Sequence, residues 1–224
     1  MHFMRAHLNG NPYLGIFACA SQSHLFAPIG AHKKAVEQMA EALGAQPVYT
    51  TIAGTELIGT LMVANSQGVL LPPDVTEAEI KTISRAVKGR VSILETRHNA
   101  LGNLIVANDN GAVVAKAYSK QEIDEIEAAL GVRVRRGTIN NLNLVGSLCR
   151  ATNSAALLSP NASDKEVKLI KETLDVRVER GTANFGVSYV GACILANSEG
   201  VVAGTPTTGI EMGKIEELFE GETG

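Results

Sequence analysis

The hydrophobic pattern is clearest between Gly102 and Gly131, where it predicts a complete strand–turn–strand–helix unit. The apolar run NLIVA after Gly102 is too short for a helix and rich in branched residues, which predicts a buried strand. The NDNG segment at 108–111 is typical of a tight hairpin, because Asn, Asp and Gly tolerate positive φ. A second strand, AVVA, follows. Ser119 and Glu122 then predict a capping box, and apolar residues at helical spacing continue to Gly131.

The same pattern recurs five times along the chain. The opening glycine returns at a period of 43 to 45 residues, as Gly15, Gly59, Gly102, Gly146 and Gly191. The helix cap follows 17 residues later each time, at His32, Thr76, Ser119, Ser163 and Thr208. Four of these caps are followed three residues later by a glutamate: Glu79, Glu122, Glu166 and Glu211. A period in this range predicts a repeat architecture, in which one domain over residues 1–224 is built from five units.

The turn between the first two predicted strands is regular in three units and altered in two. It reads Ala-Asn-x-x-Gly at Asn65, Asn108 and Asn197. Units one and four have Ser21 and Thr152 in place of the asparagine, and we interpret these turns as degraded copies.

A third strand is predicted after every helix except the last. These strands cover 47–50, 91–94, 132–135 and 176–179, and three of the four alternate apolar and polar residues as half-buried strands do. The short strand predicted for Phe3 to Ala6 has no unit of its own. We therefore expect it to complete the fifth unit and close the chain into a ring, which would also remove the exposed sheet edge of an open array.

The first strand of each unit is nearly all apolar, as expected for a strand buried on both faces. The pattern predicts a closed α/β propeller in which these inner strands line the axis and the helices lie outside. The residues directly after the five glycines should then meet near one end of the axis: Ile16, Thr60, Asn103, Ser147 and Ala192.

Composition narrows the class of protein. The chain has 224 residues, is 45 % hydrophobic and 19 % charged, and carries a formal net charge of −3, which argues against a broad electrostatic grip on phosphate. It contains no apolar run long enough to span a membrane, and its first residues lack the apolar block of a signal peptide. Cys19, Cys149 and Cys193 lie in apolar runs, which predicts buried free thiols in a reducing compartment, the cytoplasm.

Several motifs resemble the translation initiation factor 6 family in its short archaeal form. The most specific are HNALGNLIVANDNG ending at Gly111, the GTAN turn at 181–184, VGACILANSEG ending at Gly200 and PTTGIE at 206–211, and the resemblance extends over nearly the whole chain. It implies a five-unit ring of the pentein type. It also implies binding to the large ribosomal subunit, near the sarcin–ricin loop and neighbouring ribosomal proteins, so that the small subunit is excluded sterically.

The resemblance implies the remaining functional expectations. In the family, contacts with the subunit cluster just after the strand-opening glycines, which corresponds here to Thr60, Asn103, Ser147 and Leu148. The family often carries larger or more polar side chains at the positions of Thr60 and Leu148. We expect a monomer with no cofactor, no metal, no catalytic chemistry, and neither DNA nor a membrane as partner.

Arg150 is the one charged residue at its position in the apolar run of each unit. The other four units have Cys19, Val63, Val106 and Leu195 there. We favour a guanidinium that reaches the surface or an internal carboxylate; the alternative is a guanidinium in the central channel that contacts a ligand or rRNA.

The rival function is enzymatic. Pentein folds also host guanidine-modifying hydrolases and transferases that use a cysteine nucleophile with histidine and carboxylates. In this chain the candidate nucleophile is Cys193, and the candidate histidine is His98. Because Cys193 lies in mid-strand among apolar residues, we interpret it as an inert core thiol.

Overall fold

The structure is a computed structural model that describes residues 1–221; residues 222–224, the end of the predicted fifth unit, lie outside the described part. It contains five three-stranded sheets arranged around one axis. The inner strands of the sheets are β2 Cys19–Ala20, β5 Val63–Ala64, β8 Ile105–Ala107, β11 Cys149–Ala151 and β14 Ile194–Ala196. The middle strands are β3 His24–Pro28, β6 Gly68–Leu71, β9 Gly111–Ala115, β12 Ala155–Leu158 and β15 Gly200–Gly204.

Each sheet is completed by an outer strand. In units one to four these are β4 Gln46–Thr50, β7 Arg90–Ile93, β10 Arg133–Gly137 and β13 Arg177–Arg180. The inner strand runs antiparallel to the middle strand, and the outer strand runs parallel to it.

The fifth sheet takes its outer strand from the start of the chain. β1, His2–Ala6, pairs in parallel with β15, in a register that places His2 opposite Gly200 and Ala6 opposite Gly204. The five inner strands also contact one another in cyclic order, because β14 touches β2 as well as β11. The prediction of a closed five-unit α/β propeller, with its ring completed by the N-terminal strand, is confirmed.

Five long helices lie outside the sheets, at α2 Lys33–Ala42, α4 Glu77–Ala86, α6 Lys120–Leu130, α7 Asp164–Leu174 and α9 Gly209–Glu220. Their predicted caps are confirmed: Thr76, Ser119, Ser163 and Thr208 form capping boxes, while His32 caps α2 without a side-chain hydrogen bond. Gly131 ends α6 at φ 65°, as predicted.

The hydrophobic core is divided among the seams between units. Each buried cluster combines residues of two neighbouring units; one, for example, joins Val63 and Leu70 of unit two to Ile126 and Leu130 of unit three. The cluster that includes Leu14 and Leu43 also contains Val202 of unit five, so the last seam is packed like the others. Each unit therefore depends on its neighbours to bury its apolar side chains.

One secondary-structure prediction is wrong. The segment around each opening glycine is a single helical turn in four units, at α1 Leu14–Phe17, α3 Ile58–Leu61, α5 Leu101–Leu104 and α8 Val190–Cys193, and the inner strand begins only after it. In unit four residues 145–147 form a turn. Short apolar runs do not distinguish a buried strand from a buried helical turn by periodicity, and the packing of the glycines favours the turn.

Candidate functional site: the hub and its face

The five opening glycines form a closed ring at one end of the axis. A Cβ atom on any of them would overlap the carbonyl oxygen of the glycine in the preceding unit: Gly59 against Gly15, Gly102 against Gly59, Gly146 against Gly102, Gly191 against Gly146, and Gly15 against Gly191. Glycine is required here for close backbone approach. We call this end of the disc the glycine face, and the end that carries the turns between inner and middle strands the hairpin face.

The residues that follow the glycines meet at this hub, as predicted. Ser147 Oγ donates to Asn103 Oδ1 at 3.0 Å, and the amide of Gly146 donates to the Asn103 carbonyl at 3.0 Å. Thr60 Oγ1 lies 3.5 Å from the carbonyl of Ile16. Thr60 and Asn103 are partly exposed, so both side chains are available to a partner on the glycine face.

The other two predicted contact residues are less accessible. Ser147 is only 8 % exposed, and its hydroxyl group orients the side-chain amide of Asn103. Leu148 is fully buried and packs in the core cluster between units three and four, among Val113, Cys149 and Leu158. The side chain of Leu148 is therefore not part of the exposed face, and a larger residue at this position would have to be accommodated inside the core.

An exposed apolar rim surrounds the hub and was missed in the sequence. The middle and outer strands both end on the glycine face, and so do the loops that follow them. Most of the large exposed hydrophobic side chains among residues 1–221 lie on these loops or on the first turns of the helices they precede: Tyr13, Ile29, Leu57, Leu142, Phe185, Tyr189 and Ile210. The available signal was positional, because Tyr13, Leu57 and Tyr189 each precede an opening glycine by two residues.

The loops of this face are held by the capping-box glutamates. Glu211 accepts hydrogen bonds from Thr182 Oγ1 at 2.7 Å and from the amides of Phe185 and Gly186 at 3.1 and 2.8 Å, in addition to its bond to the cap at Thr208. Although burial opposes ionisation, these donors lower the pKa of Glu211 to about 2. Hydrogen bonds of the same kind lower the pKa values of Glu79, Glu122 and Glu166.

Phe185 is the most conspicuous member of the rim. Its side chain is 80 % exposed, and its backbone is left-handed, with φ 64°. The corresponding positions in units one, two and four are also left-handed, but they hold the smaller residues Asn9, Ala53 and Asn140. A bulky aromatic residue held in this conformation, with its side chain in solvent, indicates a role other than folding.

The internal carboxylate that the sequence suggested for Arg150 is absent within residues 1–221. Arg150 is partly exposed and lines a chamber on the axis, where its Nη2 donates to the carbonyl of Gly191 at 2.6 Å. Burial lowers the pKa of Arg150. The alternative, a guanidinium in the central channel, describes its position.

Cys193 has the properties of a core thiol. It is fully buried, and burial raises its pKa to about 12, whereas a cysteine nucleophile requires an accessible sulfur with a lowered pKa. His98 lies elsewhere, with its ring edge-on to Tyr118 at 5.6 Å.

Among the residues that the structure describes, no three His, Cys, Asp or Glu side chains are grouped so that they could hold a metal ion. Within that same range, every helix is too short or too polar to cross a bilayer.

Comparison with known proteins covers nearly the whole chain. A profile of the eIF-6 family matches residues 3–218. Translation initiation factor 6 of Pyrococcus horikoshii is 40 % identical over 224 residues, covering 98 % of this chain and 99 % of that protein. Translation initiation factor 6 of Cenarchaeum symbiosum is 40 % identical over 210 residues, covering 94 % of this chain and 95 % of that protein.

A solved structure, a dimethylarginine dimethylaminohydrolase adduct with S-methyl-L-thiocitrulline, is a distant match. It is 13 % identical with a TM-score of 0.47, covering 75 % of this chain and 68 % of that chain, and a match this weak says nothing about activity. The family profile and the full-length relatives agree with the closed ring and its glycine hub: this chain belongs to the eIF-6 family.

Proposed function

We propose that this protein binds the large ribosomal subunit and prevents the small subunit from joining it by occupying the joining surface. The observation that carries the proposal is the family match over residues 3–218, together with full-length relatives named translation initiation factor 6. The action is steric, and it uses a rigid disc with no catalytic group, in keeping with the buried Cys193 thiol. We propose that the factor works as a monomer in the cytoplasm.

We infer that the glycine face is the docking face. Its apolar rim supplies the kind of side chain that interface centres bury, and Asn103 and Thr60 place polar groups at the centre of that rim. The hairpin face is lined instead by short polar residues, including Gln22, Asp109 and Asn153. Ser147 contributes by holding the Asn103 amide.

The charge of the chain favours a mixed partner surface. A protein with a net charge of −3 has no overall positive charge to favour a purely phosphate surface. We propose that the rim contacts ribosomal protein, with only local contacts to rRNA near the sarcin–ricin loop.

Co-sedimentation with isolated large and small subunits tests the proposal. We expect the wild-type protein to pellet with the large subunit alone, and to reduce the formation of joined ribosomes when it is added before the small subunit. Asn103→Arg should weaken sedimentation with the large subunit at least tenfold and leave the melting temperature nearly unchanged, because Asn103 is partly exposed.

The matched control places the same substitution on the opposite face. Asn110 is exposed on the hairpin face, and Asn110→Arg should sediment like the wild type. Equal loss of binding in both variants would reject the glycine face, and pelleting with neither subunit would reject the function. Unfolding of Asn103→Arg would make Asn103 a structural residue.

A further inference from the structure

The axis of the disc contains a partly open chamber of about 50 Å³. Three of the opening glycines, Gly59, Gly102 and Gly146, border it on one side. The alanines that end the inner strands border it on the other side: Ala20, Ala64, Ala107, Ala151 and Ala196. The same alanines line the mouth on the hairpin face, so this is the side from which the chamber communicates with solvent. Since a water molecule needs about 10–15 Å³ of cavity volume measured in this way, the chamber has room for a few water molecules or ions of similar size.

The chamber holds a positive charge without a counter-charge. Arg150 donates from Nη2 to the Gly191 carbonyl, but its Nε is inaccessible and has no hydrogen-bond partner within the described range. The thiols of Cys19 and Cys149 border the same space, and burial raises their pKa values to about 11 and 12, which keeps both neutral at pH 7. The oxygens of the glycine ring face the Cα atoms of neighbouring glycines.

Arg150 is partly exposed, but its guanidinium lies in a confined space and has no carboxylate partner within the described range. A guanidinium has five N–H donors, and such confinement raises the cost of leaving its donors unpaired and its charge uncompensated. The corresponding residues in the other units are neutral and apolar: Cys19, Val63, Val106 and Leu195. The one carboxylate that lines the mouth, Asp109, is occupied by Ser66 and Asn153.

We propose that the axial chamber is a binding site for one small monovalent anion, such as chloride, held against the Arg150 guanidinium. The anion supplies the missing counter-charge and accepts hydrogen bonds from the guanidinium N–H groups that face the chamber. A monatomic ion fits the chamber with a water molecule or two beside it.

The first test measures thermal unfolding of the intact protein against sodium chloride and sodium gluconate at equal ionic strength. Gluconate is too bulky to enter the chamber, so it reports the general effect of salt. Because a ligand of the folded state stabilises by mass action, we expect the chloride series to rise above the gluconate series by roughly 3 to 5 °C for each tenfold increase in chloride above its dissociation constant.

Two variants show whether Arg150 is responsible. Arg150→Leu installs the residue that unit five has at this position, and it should lose the difference between chloride and gluconate. Arg133→Leu removes an exposed arginine from β10, and it should keep the difference. A difference that persists in Arg150→Leu, or a wild-type protein that responds equally to the two salts, would overturn the proposal.

A second measurement decides the matter even if Arg150→Leu does not fold. Wild-type crystals grown or soaked in sodium bromide, measured at the bromine absorption edge, should show an anomalous peak on the axis within about 3.5 Å of the guanidinium nitrogens. A chamber that contains only water in such crystals would refute the anion site.

Discussion

At the scale of single residues, three asparagines join neighbouring units. Asn108 Oδ1 accepts from the amides of Asn110 and Gly111 and so closes its own turn. Its Nδ2 donates across the seam to the carbonyls of Thr152 and Leu174, both at 2.9 Å. Asn65 makes the same bonds from unit two to unit three, and Asn197 makes them from unit five to unit one. One side chain thus determines both the turn and the seam.

We expect Asn108→Thr to separate these two roles. Thr152, at the same position in unit four, still accepts from the amides of its own turn, but a threonine has no amide with which to cross a seam. The variant should keep the fold and lose roughly 1 to 3 kcal/mol of unfolding free energy, because the Thr152 carbonyl loses its amide donor and the Leu174 carbonyl keeps only the bond from Asn110 Nδ2. Urea denaturation measures this, and an unchanged midpoint would show that water replaces the amide.

A second prediction at this scale concerns Phe185. Phe185→Asn places in unit five the residue type that unit four has at its left-handed position, so it should be neutral or stabilise by about 1 kcal/mol. If the rim is the docking surface, the same variant should bind the large subunit at least tenfold more weakly. Calorimetry and co-sedimentation measure the two effects; unchanged binding would remove Phe185 from the interface.

The asparagine turns show what the sequence can and cannot reveal at this scale. The Ala-Asn-x-x-Gly motif correctly predicts a turn, but the expected positive φ is absent: neither Asn108 nor Gly111 has one. A Cβ on Gly111 would overlap the carbonyl of Thr173 in the next unit, so this glycine is explained by a contact 62 positions away in the chain. Local turn preferences do not contain that information.

At the scale of elements, the capping box does more than start a helix. Glu79, Glu166 and Glu211 each accept from the cap and also from a threonine and one or two backbone amides of the loop that precedes their unit. The boxes were predictable from spacing alone. The loop contacts were not, since they join residues 25 to 29 positions apart that only the fold brings together.

The buried glutamates should make stability depend on acid pH. The pKa of Glu211 falls from its ordinary value of 4.5 to about 2 on folding, so its contribution is complete above 4.5 and is lost as the pH falls towards 2. Glu211→Gln should therefore cost on the order of 2 kcal/mol at pH 7 and almost nothing near pH 2.

Denaturation of this variant at several pH values checks the prediction. The matched control is Glu217→Gln on the exposed side of the same helix, which should match the wild type throughout. A penalty for Glu211→Gln that is independent of pH would mean that the amide fails sterically, for reasons unrelated to charge.

At the scale of the whole molecule, the glycine ring determines how closely the units approach the axis. The period of the glycines predicted the number of units, and the spare N-terminal strand predicted closure. The choice between the two faces of the disc could not be made from sequence, because the rim is assembled from separate loops such as those of Leu57, Leu142 and Phe185.

Gly102→Ala tests the ring. Its methyl group would overlap the backbone oxygen of Gly59, which cannot move without displacing the next unit, so we expect a loss of at least 3 kcal/mol or failure to fold. Gly213→Ala in α9 is the control, because a Cβ added at Gly213 would meet no atom within 4 Å. This variant should stabilise the folded protein by about 0.5 to 1 kcal/mol. Equal melting temperatures for the two variants would contradict a close-packed hub.

The missing asparagines at Ser21 and Thr152 divide the disc mechanically. An asparagine amide joins three of the seams and is missing from two. We therefore expect units two to four to move as one arc and units five and one as another, about hinges at the two seams that lack the amide. Grooves of about 470 and 500 Å³ open at these two hinges. Under strain, the disc should therefore bend about the line that joins these two hinges. Backbone amide hydrogen exchange should be fastest beside Ser21 and Thr152.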